Sequence, residues 1–261
     1  MSRKFSLLLV LLVCVQTDIA RAELVGLFNF DGNNTNTVAG GSNGFGSTAG
    51  YSGGFEGQAT NFAGPFDFMY IPIDLGTSNT PSVTFGGWTR ASNATGNQDI
   101  FAIDDFDSTT PERSIGIRNS DGNGWQYSAT TGTGNQSFGV GGPVEDDWSF
   151  VAARYDGSNV TLFVDGSSFS MFDNTAINPN RPVMLRVGGS PLSNDQFVGS
   201  VDNLFVFDEA LSDQQIEHIW LGGSTAIMAP SAIPEPSCLA LGLLTVAGLG
   251  LRRKRRKALC V

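Results

Sequence analysis

Nine short apolar runs, each fenced by Gly, Asn, Asp, Ser or Pro, restrict this chain to an architecture of strands. They are Leu24 to Phe30, Phe68 to Ile73, Val83 to Arg90, Ile100 to Ile103, Ser114 to Arg118, Trp148 to Tyr155, Val160 to Val164, Val183 to Val187 and Val201 to Phe207. β-branched and aromatic side chains dominate them, as a pleated, half-buried surface requires. Asp156-Gly157 joins two of these strands tightly, and Asp165-Gly166 closes the second, both with hairpin-turn chemistry. In Trp148 to Tyr155 the apolar and polar positions alternate only partly, which predicts a strand covered on both faces. One segment, Ser212 to Trp220, predicts a helix: Ser212 is an N-cap, acids occupy the first turn, and Ile216, Ile219 and Trp220 share one side. The stretches Asn33 to Gly54 and Ser128 to Gly142, rich in Gly, Ser, Thr and Asn, are expected to be loops.

The two ends carry different chemistry. Arg3 and Lys4 precede an apolar run, Phe5 to Val15, followed by Ala20-Arg21-Ala22. That order of positive, apolar and small residues predicts a secretory signal peptide over residues 1–22, cut after Ala22 by signal peptidase. At the other end Ile233-Pro234-Glu235-Pro236-Ser237 breaks the chain, Leu239 to Leu251 is apolar, and Arg252, Arg253, Lys254, Arg255, Arg256 and Lys257 form a basic block. The apolar stretch spans about 20 Å as a helix against a hydrocarbon core of about 30 Å, so it predicts a marginal transmembrane helix. The basic block then stays on the cytoplasmic side.

The expected body, residues 23–222 with a linker over 223–232, has a composition that excludes several functions. It holds six arginines, no lysine and 23 acids, a formal charge of −17 within a chain of −10. Such a surface repels phosphate backbones, so nucleic acid is not an expected partner. Cys14, Cys238 and Cys260 all lie outside the body, which leaves it no disulfide and no thiolate ligand. His218 is the only histidine and sits on the expected helix, so a zinc site lacks ligands and a Ser-His-Asp triad lacks a plausible base.

Several segments resemble a known family. Phe28-Asn29-Phe30-Asp31-Gly32, Gly54 to Phe62 and Val83 to Arg90 are similar to the first half of the LamG-like, concanavalin A-like lectin/glucanase pattern. Trp148 to Gly157, Val160 to Gly166, Phe197 to Phe207 and Ala210-Leu211-Ser212 are similar to its second half. The resemblance implies an all-β jelly-roll sandwich of two antiparallel sheets, with the one short C-terminal helix placed before the sorting segment. Asn203 departs from the pattern, where a second aspartate is usual. Residues 233–261 resemble the PEP-CTERM sorting signal, through Pro234-Glu235-Pro236, the short hydrophobic segment and the basic end. That implies recognition by an exosortase, transient inner-membrane anchoring, and delivery to the cell surface or extracellular matrix.

Three sets of residues are candidates for chemistry. Calcium takes six to eight hard oxygen ligands, and two acidic constellations supply them: Asp31 with Asp202, in the opening and closing strands, and the cluster Asp104, Asp105 and Asp107. The alternative is that these acids are solvated and keep the protein soluble. For sugar rings, Trp125 and Tyr127 are the candidate platforms, with edge packing as the alternative for Trp125, while Trp88 and Trp148 are assigned to the core. Retaining glycoside hydrolysis needs two carboxylates about 5 Å apart, commonly from an E-x-D-x-E strand. No such string occurs, and no two of the body's glutamates lie two residues apart. The expectation is a non-catalytic exported module for carbohydrate binding or adhesion; a glycoside hydrolase on the same fold, or a structural matrix protein without a ligand, are the alternatives.

Overall fold

All nine apolar runs form strands, and among the described residues six more strands join them. In chain order they are β1 (Leu24–Phe28), β2 (Phe45–Ser47), β3 (Tyr51–Gly53), β4 (Gln58–Phe62), β5 (Phe68–Ile71), β6 (Val83–Ala91), β7 (Gln98–Asp104) and β8 (Arg113–Asn119). Then follow β9 (Trp125–Thr130), β10 (Ser137–Val140), β11 (Trp148–Tyr155), β12 (Asn159–Val164), β13 (Ser167–Phe172), β14 (Met184–Gly188), β15 (Gly199–Phe207) and the helix α1 (Asp213–Ile227). The computed structural model describes residues 22–64, 66–76, 79–93, 96–104, 113–119, 125–131, 137–173, 183–189 and 195–230. Residues 1–21 of the expected signal peptide and all the sorting-signal residues, Pro234, Glu235, Pro236 and the basic block Arg252 to Lys257, lie outside the described residues. Among the described residues no helix is long and apolar enough to cross a membrane.

The strands form two sheets. One runs β13-β12-β11-β6-β15-β4-β3, with β1 added on β15; the other runs β10-β9-β8-β7-β14-β5-β2. All strand ladders are antiparallel, the arrangement of a jelly-roll sandwich. Between the sheets, Phe85, Val151, Tyr155 and Val206 meet Met69, Phe101, Ile115 and Leu185 in the main core. A second core lies on the opposite face of the first sheet, where Phe150, Phe163, Phe205 and Phe207 pack under Ile216, Ile219 and Ile227 of α1. β11 therefore sends Val151, Ala153 and Tyr155 to one core and Phe150 and Ala152 to the other. That is the physical reason its sequence alternates only partly.

Turn chemistry works as the residues dictate. Asp165 (φ 44°) and Gly166 (φ 80°) both take the left-handed region, the requirement of a two-residue hairpin between β12 and β13. The β11–β12 connection is one residue longer, and Asp156 Oδ1 accepts from the amides of Ser158 and Asn159 at 2.8 and 2.7 Å. Those bonds lower the Asp156 pKa against the opposing effect of its partial burial. Ser212 caps α1 in a reciprocal box with Gln215.

Two expectations change. The presumed loops contain β2 and β3, and β10 with the end of β9. β2 and β3 are three-residue pieces reading FGS and YSG, which hold their conformation through ladders to β5 and β4 rather than by propensity. The helix also continues to Ile227, so the linker expected over 223–232 begins inside α1. Ile227 is buried against the second core, and apolar packing extends the helix past the break at Gly223.

With no lysine available, the body uses arginine for its buried ion pairs. Arg186 lies 3.8 Å from Asp99, whose other carboxylate oxygen takes Arg118, and Arg113 pairs with Asp173 at 3.5 Å. A planar guanidinium suits such sites because it satisfies several acceptors at once.

Candidate functional site

The loop from Gly54 to Gln58 is held from two sides by the acids that the sequence singles out. Asp202, on β15, is fully buried, and its carboxylate accepts the amides of Asn203 at 2.7 Å and Glu56 at 2.8 Å. The Phe55 amide also bonds to it. Asp31, in the bend that follows β1 rather than in the strand itself, accepts the Gln58 amide at 2.8 Å. A side chain at Gly54 would come within 2.6 Å of Asp202, and one at Gly57 would collide with Asp31. Glycine is required at both because the carboxylates approach the loop backbone this closely.

The Asp202 carboxyl is pushed up to about 7, by burial first and against the accepted amides, with the Asp31 charge adding to the rise. Glu56 extends the network. Its Oε2 accepts from Asn203 Nδ2 at 3.1 Å and from the Ser224 amide at 3.2 Å, where α1 restarts after Gly223. Gly223 has φ 63°, and a Cβ there would strike the Glu56 carboxylate. The departure at Asn203 now has a reason. Asparagine donates to Glu56, whereas an aspartate could only repel it.

Two non-glycine residues at this crossing have left-handed backbone, Phe30 (φ 56°) and Asn203 (φ 47°). Such strain collects where surrounding interactions over-determine the geometry, commonly at functional sites. Asn29 Oδ1, next to Phe30 in sequence, is buried and has no hydrogen-bond partner among the described residues. Carboxylate and amide oxygens are the donor types that calcium takes, and Asp31 and Asp202 supply the carboxylates on either side of this loop. Asp31 and Asp202 are the residues that would hold such an ion. Among the described residues no three His, Cys, Asp or Glu side chains converge as a metal site, so a cation here depends on amide and carbonyl oxygens. In the other acidic constellation, Asp104 closes β7 opposite Met184, while its side chain, Asp105 and Asp107 lie outside the described residues.

The clamped loop places an aromatic ring. Phe55 stacks on Trp88 at 4.7 Å and 13°, with Trp148 edge-on at 6.5 Å. One face of Phe55 rests on Trp88, yet the residue is 41% exposed, so its free ring face points to solvent. Beside it runs a lateral row across four neighbouring strands. Asn61 on β4 stands opposite Ser200 on β15, Ser200 opposite Arg90 on β6, and Arg90 opposite Trp148 on β11. Ser200 Oγ donates to Asn61 Oδ1 at 2.8 Å and accepts from Arg90 Nη2 at 3.3 Å, and the Arg90 guanidinium sits 5.0 Å over the Trp148 ring. At about 4.8 Å per strand the row is about 14 Å long.

The sequence-derived platform changes accordingly. Tyr127 is 1% exposed and belongs to the main core, where its hydroxyl meets Thr89 at 3.3 Å. Burial raises its pKa. It is no sugar platform, because β9 turns it inward. Trp125 opens β9 opposite Asn119, and its side chain lies outside the described residues. Trp88 is core as expected, whereas Trp148 is only half-buried, at the margin of the second core. Phe55, Asn61, Arg90 and Ser200 all lie in segments that resemble the family pattern, but their residue types did not mark them as a site; three are register partners across the sheet.

The comparisons with known proteins agree with this architecture. No curated protein sequence matches the chain. The fourth domain of AbnA, an extracellular arabinanase from Geobacillus stearothermophilus solved with arabinotriose, is 16% identical with a TM-score of 0.60; the match covers 79% of this chain and 98% of that domain. The Trypanosoma rangeli sialidase in complex with sialic acid is 12% identical with a TM-score of 0.59, covering 78% of this chain and 33% of the sialidase. At these identities the likeness is one of fold. The family model described as the concanavalin A-like lectin/glucanases superfamily matches residues 64–217, more than half of the chain. The chain belongs to that superfamily.

Proposed function

From that membership we propose that the chain is an exported, non-catalytic carbohydrate-binding module of the cell surface or extracellular matrix. Signal peptidase removes the N-terminal segment, and an exosortase acts at the C-terminal sorting signal after transient inner-membrane anchoring. The ligand is an extracellular polysaccharide. The single observation that carries the binding role is the row Asn61–Ser200–Arg90–Trp148 flanked by the open face of Phe55. Flat aromatic faces stack on the apolar faces of sugar rings, and the amide of Asn61 and the guanidinium of Arg90, both only half-buried, match their hydroxyls, while the buried Ser200 hydroxyl holds the two in line. The fold kinship supports this, because the arabinanase domain was solved with an arabino-oligosaccharide.

Calcium belongs to the same proposal. Bound by the exposed Asp31 and the buried Asp202, it neutralises both carboxylates and so fixes the loop that carries Phe55. Glycoside hydrolysis has one observation in its favour, the Asp202 carboxyl raised to about 7, the range of a general acid. That carboxyl is fully buried and accepts backbone amides, so a glycosidic oxygen has no approach to it. Binding is therefore the better supported role.

The test is affinity electrophoresis and calorimetry against a polysaccharide panel, with Phe55→Ala and Arg90→Ala beside the parent. A polysaccharide bound by the parent loses tenfold or more in affinity with either variant, and no new reducing ends appear. Release of reducing ends, or equal affinity in all three proteins, overturns the proposal. A melting temperature unmoved by millimolar calcium removes the cation from it.

A further inference from the structure

Between α1 and the β11–β12–β13 end of the first sheet lies a groove of about 160 Å³ that the binding row does not use. Its floor is Phe163 and Ile216, one wall is Trp220, and Asp213 and Glu217 stand at its mouth. The helix repeat brings the two carboxylates together, since positions four apart share one helical face. The Trp220 wall depends on Gly166, which has φ 80° and a Cα–H edge so close to the indole that a Cβ would lie 2.6 Å from it.

We propose that this groove binds a small organic cation, an ammonium group carried on an apolar or sugar skeleton. The charge balance carries the assignment. Asp213 is already paired with Arg154, whose Nη1 also donates to the Leu211 carbonyl at 2.9 Å. Glu217 is exposed and among the described residues has no ion-pair partner, so the described lining keeps one more carboxylate than cations. An anion is repelled there, and a purely apolar guest leaves that charge unanswered. The aromatic lining already accepts a cation, because the Arg154 guanidinium sits 5.2 Å over the Phe163 ring. Trp220, the strongest cation–π partner among side chains, is half-buried on the other side. The body's excess of acids raises the local concentration of such ligands. The site stands apart from the carbohydrate row, and neither depends on the other.

Two sources supply this chemistry, a free alkylammonium and an amino sugar of a polysaccharide. The experiment titrates the purified protein with tetramethylammonium, glucosamine and glucose while following the Trp220 indole N–H resonance, assigned with Trp220→Phe. Saturable shifts with tetramethylammonium and glucosamine, and none with glucose, are expected. Shifts with tetramethylammonium alone assign the free alkylammonium, and shifts with glucosamine alone assign the amino sugar. Glu217→Gln, at an exposed position, keeps the parent melting temperature and weakens binding about tenfold, and raising the salt concentration weakens the parent similarly. Phe55→Ala leaves the titration unchanged, which separates this site from the polysaccharide row. Equal response to glucose, unaltered affinity in Glu217→Gln, or no shift at millimolar ligand each overturns the assignment.

Discussion

One face of the first sheet is covered in two ways. Toward β11 and β12 it is roofed by α1, whose Ile216, Ile219 and Ile227 press on Phe150, Phe163 and Phe205. Toward β4 it is roofed by the Gly54 to Gln58 loop, held by Asp31 and Asp202 and adding the ring of Phe55. Apolar burial is non-directional and indifferent to pH, so the helix end is a fixed lid. A carboxylate clamp is directional and answers to protons and cations, so the loop end is adjustable. The proposed binding row lies at the adjustable end. Glu56 ties the two roofs together, because its carboxylate holds both Asn203 on the sheet and the Ser224 amide on the helix.

The contrast breaks most strongly at the helix. Ile219→Ala removes a buried side chain from the second core and costs about 2–5 kcal/mol by urea denaturation. The loss is the same at every pH at which the protein stays folded, and a pH-dependent loss contradicts the division drawn above.

At the loop, Asp202→Ala leaves the Phe55 and Glu56 amides without their acceptor and costs about 1–3 kcal/mol in calcium buffer. It also abolishes calcium stabilisation and polysaccharide binding. The parent shows the reverse of the usual carboxylate behaviour. Its Asp202 carboxyl has a folded value near 7 against 3.8 unfolded, so the folded state holds the proton more tightly. In chelator, the stability contributed by this group is therefore full below about pH 4 and falls as pH rises toward 7. Excess calcium flattens the fall by binding the ionised form. The urea midpoints of parent and Asp202→Asn, compared from pH 4.5 to 7.5, test this; parallel curves in chelator contradict it.

The smallest effect sharpens the link between the roofs. Asn203→Asp replaces a donated hydrogen bond to Glu56 with a like charge, at about 1–2 kcal/mol in chelator. Calcium recovers part of the loss if the new carboxylate joins the ion. Unchanged stability in chelator would show that Glu56 is not held through Asn203.

The chain's own pattern decided a good deal. β-branched and aromatic runs specified nine strands, Asp165-Gly166 specified its hairpin, and Ser212 with Gln215 specified the start of α1, because propensity, turn conformation and capping depend on a few adjacent residues. That the chain ends lie together, with β1 beside β15, was also legible through the family pattern. Tertiary structure alone decided that Tyr127 faces inward, that Trp148 stays half-open, that Phe55 lies on Trp88, and that FGS and YSG become strands. Alternation along a strand tells which residues share a face. Which face is buried, and which side chains stand beside one another across four strands, depends on partners more than a hundred residues away, as Asn61 and Ser200 are.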